Sequence, residues 1–485
     1  MTLEDSVASS RATSAGGMNI YVDLDGTLVK SDILFEGVIA LLKKRFTFIF
    51  YFPFWILKGK PFFKHAVFSR LEYDFSTLPY TTELVEYLRE EKRKGRKIVL
   101  ATGNCTEVAN SISRELPIFD GILATETQNL AGRLKLERIK QHANGQPFAY
   151  AGNSSADHPI LEASEEPILV NPTASLKRKW KSRTAHRTID GRTIGPIRSI
   201  VKSMRVHQWV KNALLFVPLF LSHQAGELAK LADVTVGFLA FSLIASGTYL
   251  LNDLLDITAD RKHLVKRRRP FAAADLPILP GCWAIIGLVG VGALIAYAVS
   301  PKLLLMCGIY LVGTLTYSFF TKSFIILDAI NLAGLYTVRL GAGAAIIDTA
   351  LSFWLLGFSM FVFLSLAFIK RCTELAHRKD SQDVALHGRD YRAEDLSLIK
   401  SMGVASGFIA ILVVAMYINH EDVTTMYREP RILWLICPVV LYWLMRMWIK
   451  MGRGEMYTDP VEFSIRDRTS LLCGLLIVLT ILAAI

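Results

Sequence analysis

The spacing of apolar residues divides the chain into two parts. Up to about residue 173, short β-rich runs alternate with polar stretches of helical composition. Four of these runs have small or polar residues at or next to their ends: NIYVDL, KIVLAT, GILAT and FAYAG. Such runs are typical of buried parallel strands, because helices cover both faces of a parallel sheet. The pattern predicts an α/β domain with its site at the carboxyl ends of the strands.

From Met204 onward the chain consists mostly of long apolar runs. We count nine candidate transmembrane spans, at about 207–222, 234–251, 281–299, 303–320, 325–347, 351–369, 403–418, 431–449 and 469–485. Most are long enough to cross a hydrocarbon core of about 30 Å, and the first and last are short. This part is predicted to be an all-α, multi-pass membrane bundle.

Three further segments interrupt or flank these parts. An aromatic insertion at about 33–75 carries Lys43, Lys44 and Arg45, which disfavour a span, so it is predicted to be a cap or interfacial helix, with a buried helix pair as the alternative. Residues 174–203 are polybasic and form either a membrane-surface or a solvated linker. Residues 1–17 are small and polar, which predicts a disordered tail and not a signal peptide.

Composition and charge support a membrane location. The 485 residues are 52% hydrophobic, with a net charge of +12 and a mean hydropathy of +0.35. The positive charge suits anionic lipid or phosphorylated substrates, and it does not indicate nucleic acid because it concentrates beside the apolar runs. Loops after the even-numbered spans hold 18 Lys and Arg against four in the others. The N-terminal domain is therefore predicted to be cytoplasmic.

The stretch NDLLDITADRKHLVKRRRP follows the second span and is dense in charge of both signs. If residues 252–260 continue a helix, Asp253, Asp256 and Asp260 line one face. Such carboxylates repel one another unless cations lie between them, and Mg²⁺ together with a substrate diphosphate fits best. The alternative is a solvated, salt-bridged loop.

This stretch matches the NDxxDxxxD signature of the UbiA superfamily of membrane prenyltransferases, and the similarity runs from about Met204 to the C-terminus. The resemblance implies a helical bundle with a cavity open to the cytoplasm and the bilayer. Within that superfamily, MRVHQWVKN, YSFFTK, AFIKRCTEL and DPVEFSIRDR resemble decaprenyl-phosphate phosphoribosyltransferases. Those enzymes transfer 5-phosphoribose from phosphoribosyl diphosphate to a polyprenyl phosphate, which implies a bacterial plasma-membrane location.

The resemblance also implies site residues. Asp253, Asp256 and Asp260 would be catalytic and hold magnesium. Where aromatic prenyltransferases carry a second aspartate motif this chain reads KRCTEL, although Asp380, Asp383 and Asp390 follow. Substrate-binding candidates are Gln208, Lys211, Asn212, Asn252, Lys266, Arg267, Arg269, Tyr317, Lys322, Asp328, Arg339, Lys370 and Arg371. Asp328 and Arg339 would share a helix face, in the site or as a structural pair. Asp459, Asp467 and Arg468 belong either to the site or to cytoplasmic anchoring.

A second site is predicted near the N-terminus, where YVDLDGTLV resembles motif one of the haloacid dehalogenase superfamily over residues 18–173. The resemblance makes Asp23 the nucleophile, Asp25 the general acid/base, and Thr102 and Lys135 phosphate-binding residues. In AGNSSADHP, Asn153 stands where the family has Asp, and Asp157 follows. Magnesium would be held by Asp23, Asp25, Asn153 and Asp157. Since an amide brings no charge, either a working phosphatase or a weakened, structural domain remains open.

Together these features favour a bifunctional enzyme that makes a polyprenyl-phosphate 5-phosphoribose and then removes the 5-phosphate. One alternative is a prenyltransferase that moves an isoprenoid from its diphosphate to an acceptor. Another is a scaffold role for the N-terminal domain.

Overall fold

A computed structural model describes residues 17–126, 128–183, 186–191, 194–376, 390–420, 423, 427–456 and 459–485. It contains two compact units. The first comprises the described residues through Ser203 together with Leu250–Trp283, and the second comprises Met204–Tyr249 and Ala284–Ile485. The segment that carries the aspartate motif thus belongs to the same unit as the N-terminal domain.

A six-stranded parallel sheet forms the centre of the first unit, in the order β3-β2-β1-β4-β5-β6. Its strands are β1 Asn19–Val22, β2 Ile98–Cys105, β3 Gly121–Thr125, β4 Phe148–Gly152, β5 Glu166–Val170 and β6 Arg187–Ile189. β1 lies between β2 and β4, with Tyr21 beside Val99 and Tyr150. The carboxyl ends of these three strands therefore meet at one edge of the sheet.

Helices cover both faces of this sheet because successive strand residues point to opposite sides. Ile20 and Val22 join one buried apolar cluster, whereas Tyr21 joins another with Val99 and Tyr150. The helices of this unit are α1 Ile33–Lys44, α2 Phe52–Leu57, α3 Lys60–Phe68, α4 Thr82–Arg93, α5 Thr106–Glu115, α6 Gly132–His142, α7 His158–Ala163, α8 Ala174–Trp180 and α9 Pro196–Met204. The predicted α/β domain is confirmed.

The aromatic insertion forms α1, a 3₁₀ turn at Phe46–Phe50, α2 and α3. Trp55 packs into the core of the domain, whereas Phe50, Phe54 and Leu57 are 70%, 65% and 85% exposed. A fully buried helix pair does not describe this segment. Its exposed aromatic face agrees with the interfacial alternative, and its inner face agrees with a cap.

The segment predicted to be a linker also contributes to the fold. β6 pairs in parallel with β5 through Ile168 and Arg187, so the sheet extends past residue 173. β6 is three residues long and contains no apolar run. It is therefore held in the sheet by pairing with the edge of β5, and its own sequence did not predict it. A linker boundary at 174 is therefore wrong for the part of the chain described here.

The second part of the chain is helical. After a 3₁₀ segment at Val206–Phe216 come α10 Val217–Leu221, α11 Leu228–Leu255, α12 Ile257–Lys262, α13 Ile278–Val299, α14 Pro301–Phe319, α15 Leu327–Ile346, α16 Phe353–Ala376, α17 Leu396–Ile418, α18 Ile436–Gly452, α19 Pro460–Arg466 and α20 Arg468–Ala484. Within the described residues, seven helices are long and apolar enough to cross a membrane, or eight if the bent pair α19–α20 is one span.

The multi-pass architecture is confirmed, and the count of nine spans was approximate. The first candidate span, 207–222, consists of the 3₁₀ segment and the five-residue α10, so it forms no long helix. The last candidate span is α20, which bends by 82° from α19. Both are short among the nine candidate spans.

Candidate active sites

The DxDGT motif follows β1, so its carboxylates lie at the carboxyl edge of the sheet. The Asp23 backbone N–H donates to the Ala151 carbonyl of β4 at 2.9 Å, which continues the parallel pairing one residue past the strand. Asp25 accepts from the backbone N–H of Ile33, at the start of α1, at 2.9 Å. Both carboxylates are thereby held between β1, β4 and the insertion.

The predicted partners of Asp23 converge on it. Lys135 Nζ donates to Asp23 Oδ1 at 2.6 Å and lies 3.9 Å from Asp157 Oδ1. Thr27 Oγ1 donates to Asp23 Oδ2 at 3.3 Å. Lys135 is 3% exposed, so its ammonium charge is directed at the nucleophile candidate and not at solvent.

Thr102 is buried in β2, and its Oγ1 accepts from the backbone N–H of Asn104 at 3.0 Å. Asn104 was not predicted from the sequence, yet its Nδ2 donates to Asp25 Oδ2 at 2.6 Å. Its buried Oδ1 has no hydrogen-bond partner among the residues that the structure describes. The only signal for it was a polar residue two positions after Thr102.

Asn153 and Asp157 play different roles. Asp157 accepts from Tyr150 OH at 2.7 Å, from Ser154 Oγ at 2.7 Å and from the Ser154 backbone N–H at 3.0 Å. Asn153 lies against Gly26, where an added Cβ would be 2.0 Å from Asn153 Nδ2 and where φ is +75°. The amide at Asn153 thus packs directly on the DxDGT turn.

The electrostatics of these carboxylates suit a divalent cation. Burial raises the pKa of Asp25 well above that of an ordinary aspartate, and the charge of Asp32 adds to the rise. Burial likewise raises the pKa of Asp23, although the charge of Lys135 opposes it. Since a nearby cation favours the anionic form of such groups, Asp23 and Asp25 fit a magnesium site.

Lys64, from α3 of the insertion, reaches the same edge of the sheet. Its Nζ donates to the Gly103 carbonyl and to Asn129 Oδ1. Burial lowers the pKa of Lys64, although the charges of Asp25 and Asp32 oppose the change. No motif indicated this residue, because its position depends on how the insertion packs.

The aspartate motif of NDLLDITAD is arranged differently from the prediction. α11 ends at Leu255 and α12 begins at Ile257, so residues 252–260 do not continue one helix. Arg269 Nη1 lies 3.1 Å from Asp253 Oδ1 and 2.7 Å from Asp260 Oδ2. Asp256 instead accepts from Lys43 of α1 at 2.7 Å.

The three carboxylates therefore do not share one cationic partner: Arg269 binds Asp253 and Asp260, whereas Lys43 binds Asp256. Among the described residues, no group of three His, Cys, Asp or Glu side chains is placed to hold a metal ion. Asp253 and Asp260 nevertheless converge on one cationic atom and are almost fully buried. Two carboxylates suffice for Mg²⁺ when substrate phosphates complete its shell, so this pair fits the ion.

In the second unit, two predicted phosphate-binding lysines meet at one carboxylate. Lys211 Nζ and Lys370 Nζ lie 2.9 Å and 3.0 Å from Asp459 Oδ2. Tyr336 OH donates to Asp459 Oδ1 at 3.3 Å. Lys211 is 7% exposed, so two ammonium groups share one carboxylate in a buried site.

Arg339 lies beside this cluster. Its guanidinium is 5.3 Å from the Tyr336 ring centre, and its Nε donates to Asn212 Oδ1 at 2.8 Å. With Lys211 and Lys370 it gives three cations for the single carboxylate of Asp459. This excess of positive charge is what a phosphorylated ligand requires.

Asp328 and Arg371 form a separate buried network. Arg371 Nε donates to Asp328 Oδ2 at 2.5 Å, and Tyr391 OH donates to Asp328 Oδ1 at 2.5 Å. Arg371 also binds Glu374 at 2.7 Å and Tyr317 OH at 3.0 Å. Asp328 and Arg339 thus have separate partners, and Arg371 is bound to protein carboxylates.

The remaining predicted residues fall outside these contacts. Gln208, Asn252 and Lys322 are half-buried, and Lys266 and Arg267 are exposed. Asp390 is exposed, whereas Asp380 and Asp383 lie outside the described residues. Asp467 receives two hydrogen bonds from Arg446, at 2.5 and 3.0 Å.

Comparison with known proteins assigns both parts of the chain. Residues 213–463 match the model of the UbiA prenyltransferase family. The chain belongs to the UbiA prenyltransferase family. Residues 20–162 match the haloacid dehalogenase-like hydrolase model, so this UbiA protein carries an N-terminal haloacid dehalogenase-like domain.

Three relatives illustrate how far the similarity extends. "Uncharacterized protein y4nM" of Sinorhizobium fredii is 34% identical over 94% of this chain and 89% of its own length. "Nodulation protein NoeC" of Azorhizobium caulinodans is 32% identical over 57% of this chain and 90% of its own. "Decaprenyl-phosphate phosphoribosyltransferase" of Mycolicibacterium smegmatis is 33% identical over 38% of this chain and 60% of its own.

Proposed function

We propose that this UbiA protein transfers 5-phosphoribose from phosphoribosyl diphosphate to a polyprenyl phosphate, and that its haloacid dehalogenase-like domain then removes the 5-phosphate. The observation that carries the transferase proposal is the convergence of Lys211 and Lys370 on Asp459, with Arg339 beside them. A cationic site of this kind suits a lipid monophosphate. The name of the mycobacterial relative supports the same substrates.

In the transfer step, an oxygen of the lipid phosphate bonds to the anomeric carbon of the donor. The bond from that carbon to the diphosphate breaks, and the diphosphate leaves with the electron pair. The lipid phosphate is already anionic, so Lys211 and Lys370 need only bind and orient it. Magnesium bound at Asp253 and Asp260 would neutralise charge on the departing diphosphate.

In the hydrolytic step, the Asp23 carboxylate attacks the phosphorus of the 5-phosphate while Lys135 holds the phosphoryl oxygens. The bond between phosphorus and the ribose oxygen breaks, and the Asp25 carboxyl gives its proton to that oxygen. A water molecule, with its proton taken by Asp25, then displaces phosphate from Asp23.

The order of the two steps and the cytoplasmic side of both sites are parts of the proposal. A tether raises the concentration of the hydrolytic domain at the product of its own chain. The positive charge of the loops after the even-numbered spans supports a cytoplasmic N-terminal domain and a plasma-membrane location.

A double-labelled donor tests both steps. Phosphoribosyl diphosphate carrying ¹⁴C in the ribose and ³²P in the 5-phosphate is given, with polyprenyl phosphate and Mg²⁺, to the full chain in lipid nanodiscs. We expect ¹⁴C in the organic-extractable lipid and ³²P released as inorganic phosphate. Lipid that retains both labels would contradict the hydrolytic step, and lipid without ¹⁴C would contradict the transfer.

A further inference from the structure

The carboxylates of the haloacid dehalogenase-like domain line a cavity of about 500 Å³, within the usual size range of ligand pockets. One part of its lining is polar and contains Asp23, Asp25, Lys135 and Asn153. Another part is apolar and comes from the chain between the aspartate motif and α13 and from the first turn of α13. These apolar residues are Phe271, Ala274, Leu276, Pro277, Ile278, Leu279 and Pro280.

Arg261 holds this apolar segment to the N-terminal domain. Its Nε donates to the Ala272 carbonyl at 3.0 Å. Its Nη1 and Nη2 donate to the two carboxylate oxygens of Glu36, in α1, at 2.7 and 2.6 Å. Both side chains are almost fully buried. One guanidinium thus links a helix that lines the cavity to the backbone of the apolar segment.

Close packing adds to this attachment. A Cβ at Gly281 would lie 2.3 Å from the Phe271 ring, so the ring packs directly on the backbone at the start of the span. Ser199 Oγ donates to the Asp275 carbonyl at 3.4 Å. Leu279 remains half exposed. The segment is therefore fixed in place, and the apolar surface that it offers to a ligand comes mainly from Leu279 and Pro280, since Phe271, Ala274, Leu276 and Ile278 are 1–7% exposed.

We propose that residues 271–280 form a fixed apolar wall of the hydrolytic site, which selects phosphomonoesters whose sugar carries an apolar chain and rejects free sugar phosphates. This inference rests on the proposed hydrolytic function and specifies its substrate. Apolar surface removed from water favours binding, whereas hydroxyls facing this wall lose their hydrogen bonds to water.

The wall would keep the hydrolytic site from removing the 5-phosphate of the donor, phosphoribosyl diphosphate. Phosphoribosyl diphosphate carries the same 5-phosphate as the lipid-linked product, so the polar half of the cavity alone does not distinguish them. The product has an apolar chain and the donor has none. A wall on the same compact unit as Asp23 supplies the discrimination that the phosphate-binding residues lack.

The test compares ribose 5-phosphate with 1-O-decyl-ribofuranoside 5-phosphate, using the full chain in nanodiscs. We expect kcat/KM of the native protein to favour the decyl compound at least tenfold. Leu279→Ser should lower this ratio at least fivefold. The matched control is Leu264→Ser, at a 78% exposed leucine that precedes the wall and does not line the cavity, and it should leave the ratio unchanged.

Equal kcat/KM for the two compounds in the native protein, or an unchanged ratio in Leu279→Ser, would overturn the proposal. If neither compound is hydrolysed, the proposed hydrolytic function fails, and the proposed apolar wall is then tested by binding measurements. Dissociation constants are then compared for Asp23→Asn and for Asp23→Asn combined with Leu279→Ser. Tighter binding of the decyl compound that depends on Leu279 supports the wall, and equal binding of both compounds overturns it.

Discussion

The Glu36–Arg261 pair should be a large local contribution to the stability of the first unit. The two side chains are 2% and 5% exposed and share two hydrogen bonds, at 2.6 and 2.7 Å. Arg261→Met leaves the Glu36 carboxylate buried without its cation. Breaking one partner of a buried ion pair costs about 3–5 kcal/mol, so we expect a loss of that size.

Hydrogen exchange measures this loss directly. With the full chain in nanodiscs, the opening free energy of peptides covering Ile33–Lys44 and 271–280 should fall by about 3–5 kcal/mol in Arg261→Met. The double variant Glu36→Leu/Arg261→Met should recover at least half of it, since no charge remains buried. The effects of the two substitutions on stability should not add, because Glu36 and Arg261 are in direct contact.

Lys262→Met provides the matched control. Lys262 is the next residue of α12, and its ion pair with Asp74 is about half exposed on both sides. Exposed pairs contribute less than about 1 kcal/mol, so this variant should change exchange little. The reasoning is refuted if Arg261→Met costs no more than Lys262→Met.

Three further predictions concern single groups. Asp23→Asn should abolish release of the 5-phosphate and leave ribose transfer intact, so a lipid bearing the 5-phosphate accumulates and is detected by mass spectrometry; loss of transfer would contradict independent sites. Lys370→Gln should raise KM for polyprenyl phosphate about tenfold while KM for phosphoribosyl diphosphate changes less than twofold, and equal changes in both would count against a lipid-phosphate site. Burial raises the pKa of Glu36, but hydrogen bonding and the charge of Arg261 lower it overall. The stability that Glu36 contributes is therefore complete above its unfolded pKa of about 4.5 and is lost as pH falls through the lower folded pKa. Exchange protection of residues 271–280 should thus be constant from pH 6 to 8, and a loss of protection within that range would contradict the direction of the shift.

Much of the architecture followed from the sequence because its signals are local. β1 to β4 were predicted from continuous apolar runs, and the DxDGT motif placed its carboxylates directly after β1. β5 and β6 were missed, since EPILV contains a proline and RTI contains a single apolar residue. Strand pairing with a neighbouring edge, which is a tertiary effect, decides such cases.

The sites show the same limit. Asp23, Lys135 and Lys211 were predicted because their short motifs resemble those of known families. The break at Asp256 and the bond from Lys43 to it depend on how the insertion packs on the aspartate segment. Periodicity alone could not reveal a contact between residues 213 positions apart.

Donor choice is the most direct test of the central claim. The full chain in nanodiscs is offered labelled phosphoribosyl diphosphate with polyprenyl phosphate, and in parallel a labelled polyprenyl diphosphate with an aromatic acceptor, both with Mg²⁺. The account predicts labelled lipid from the first pair, loss of that product in Asp253→Asn/Asp260→Asn, and no transfer from the second pair. Isoprenoid transfer to the acceptor without any ribose-labelled lipid would contradict it.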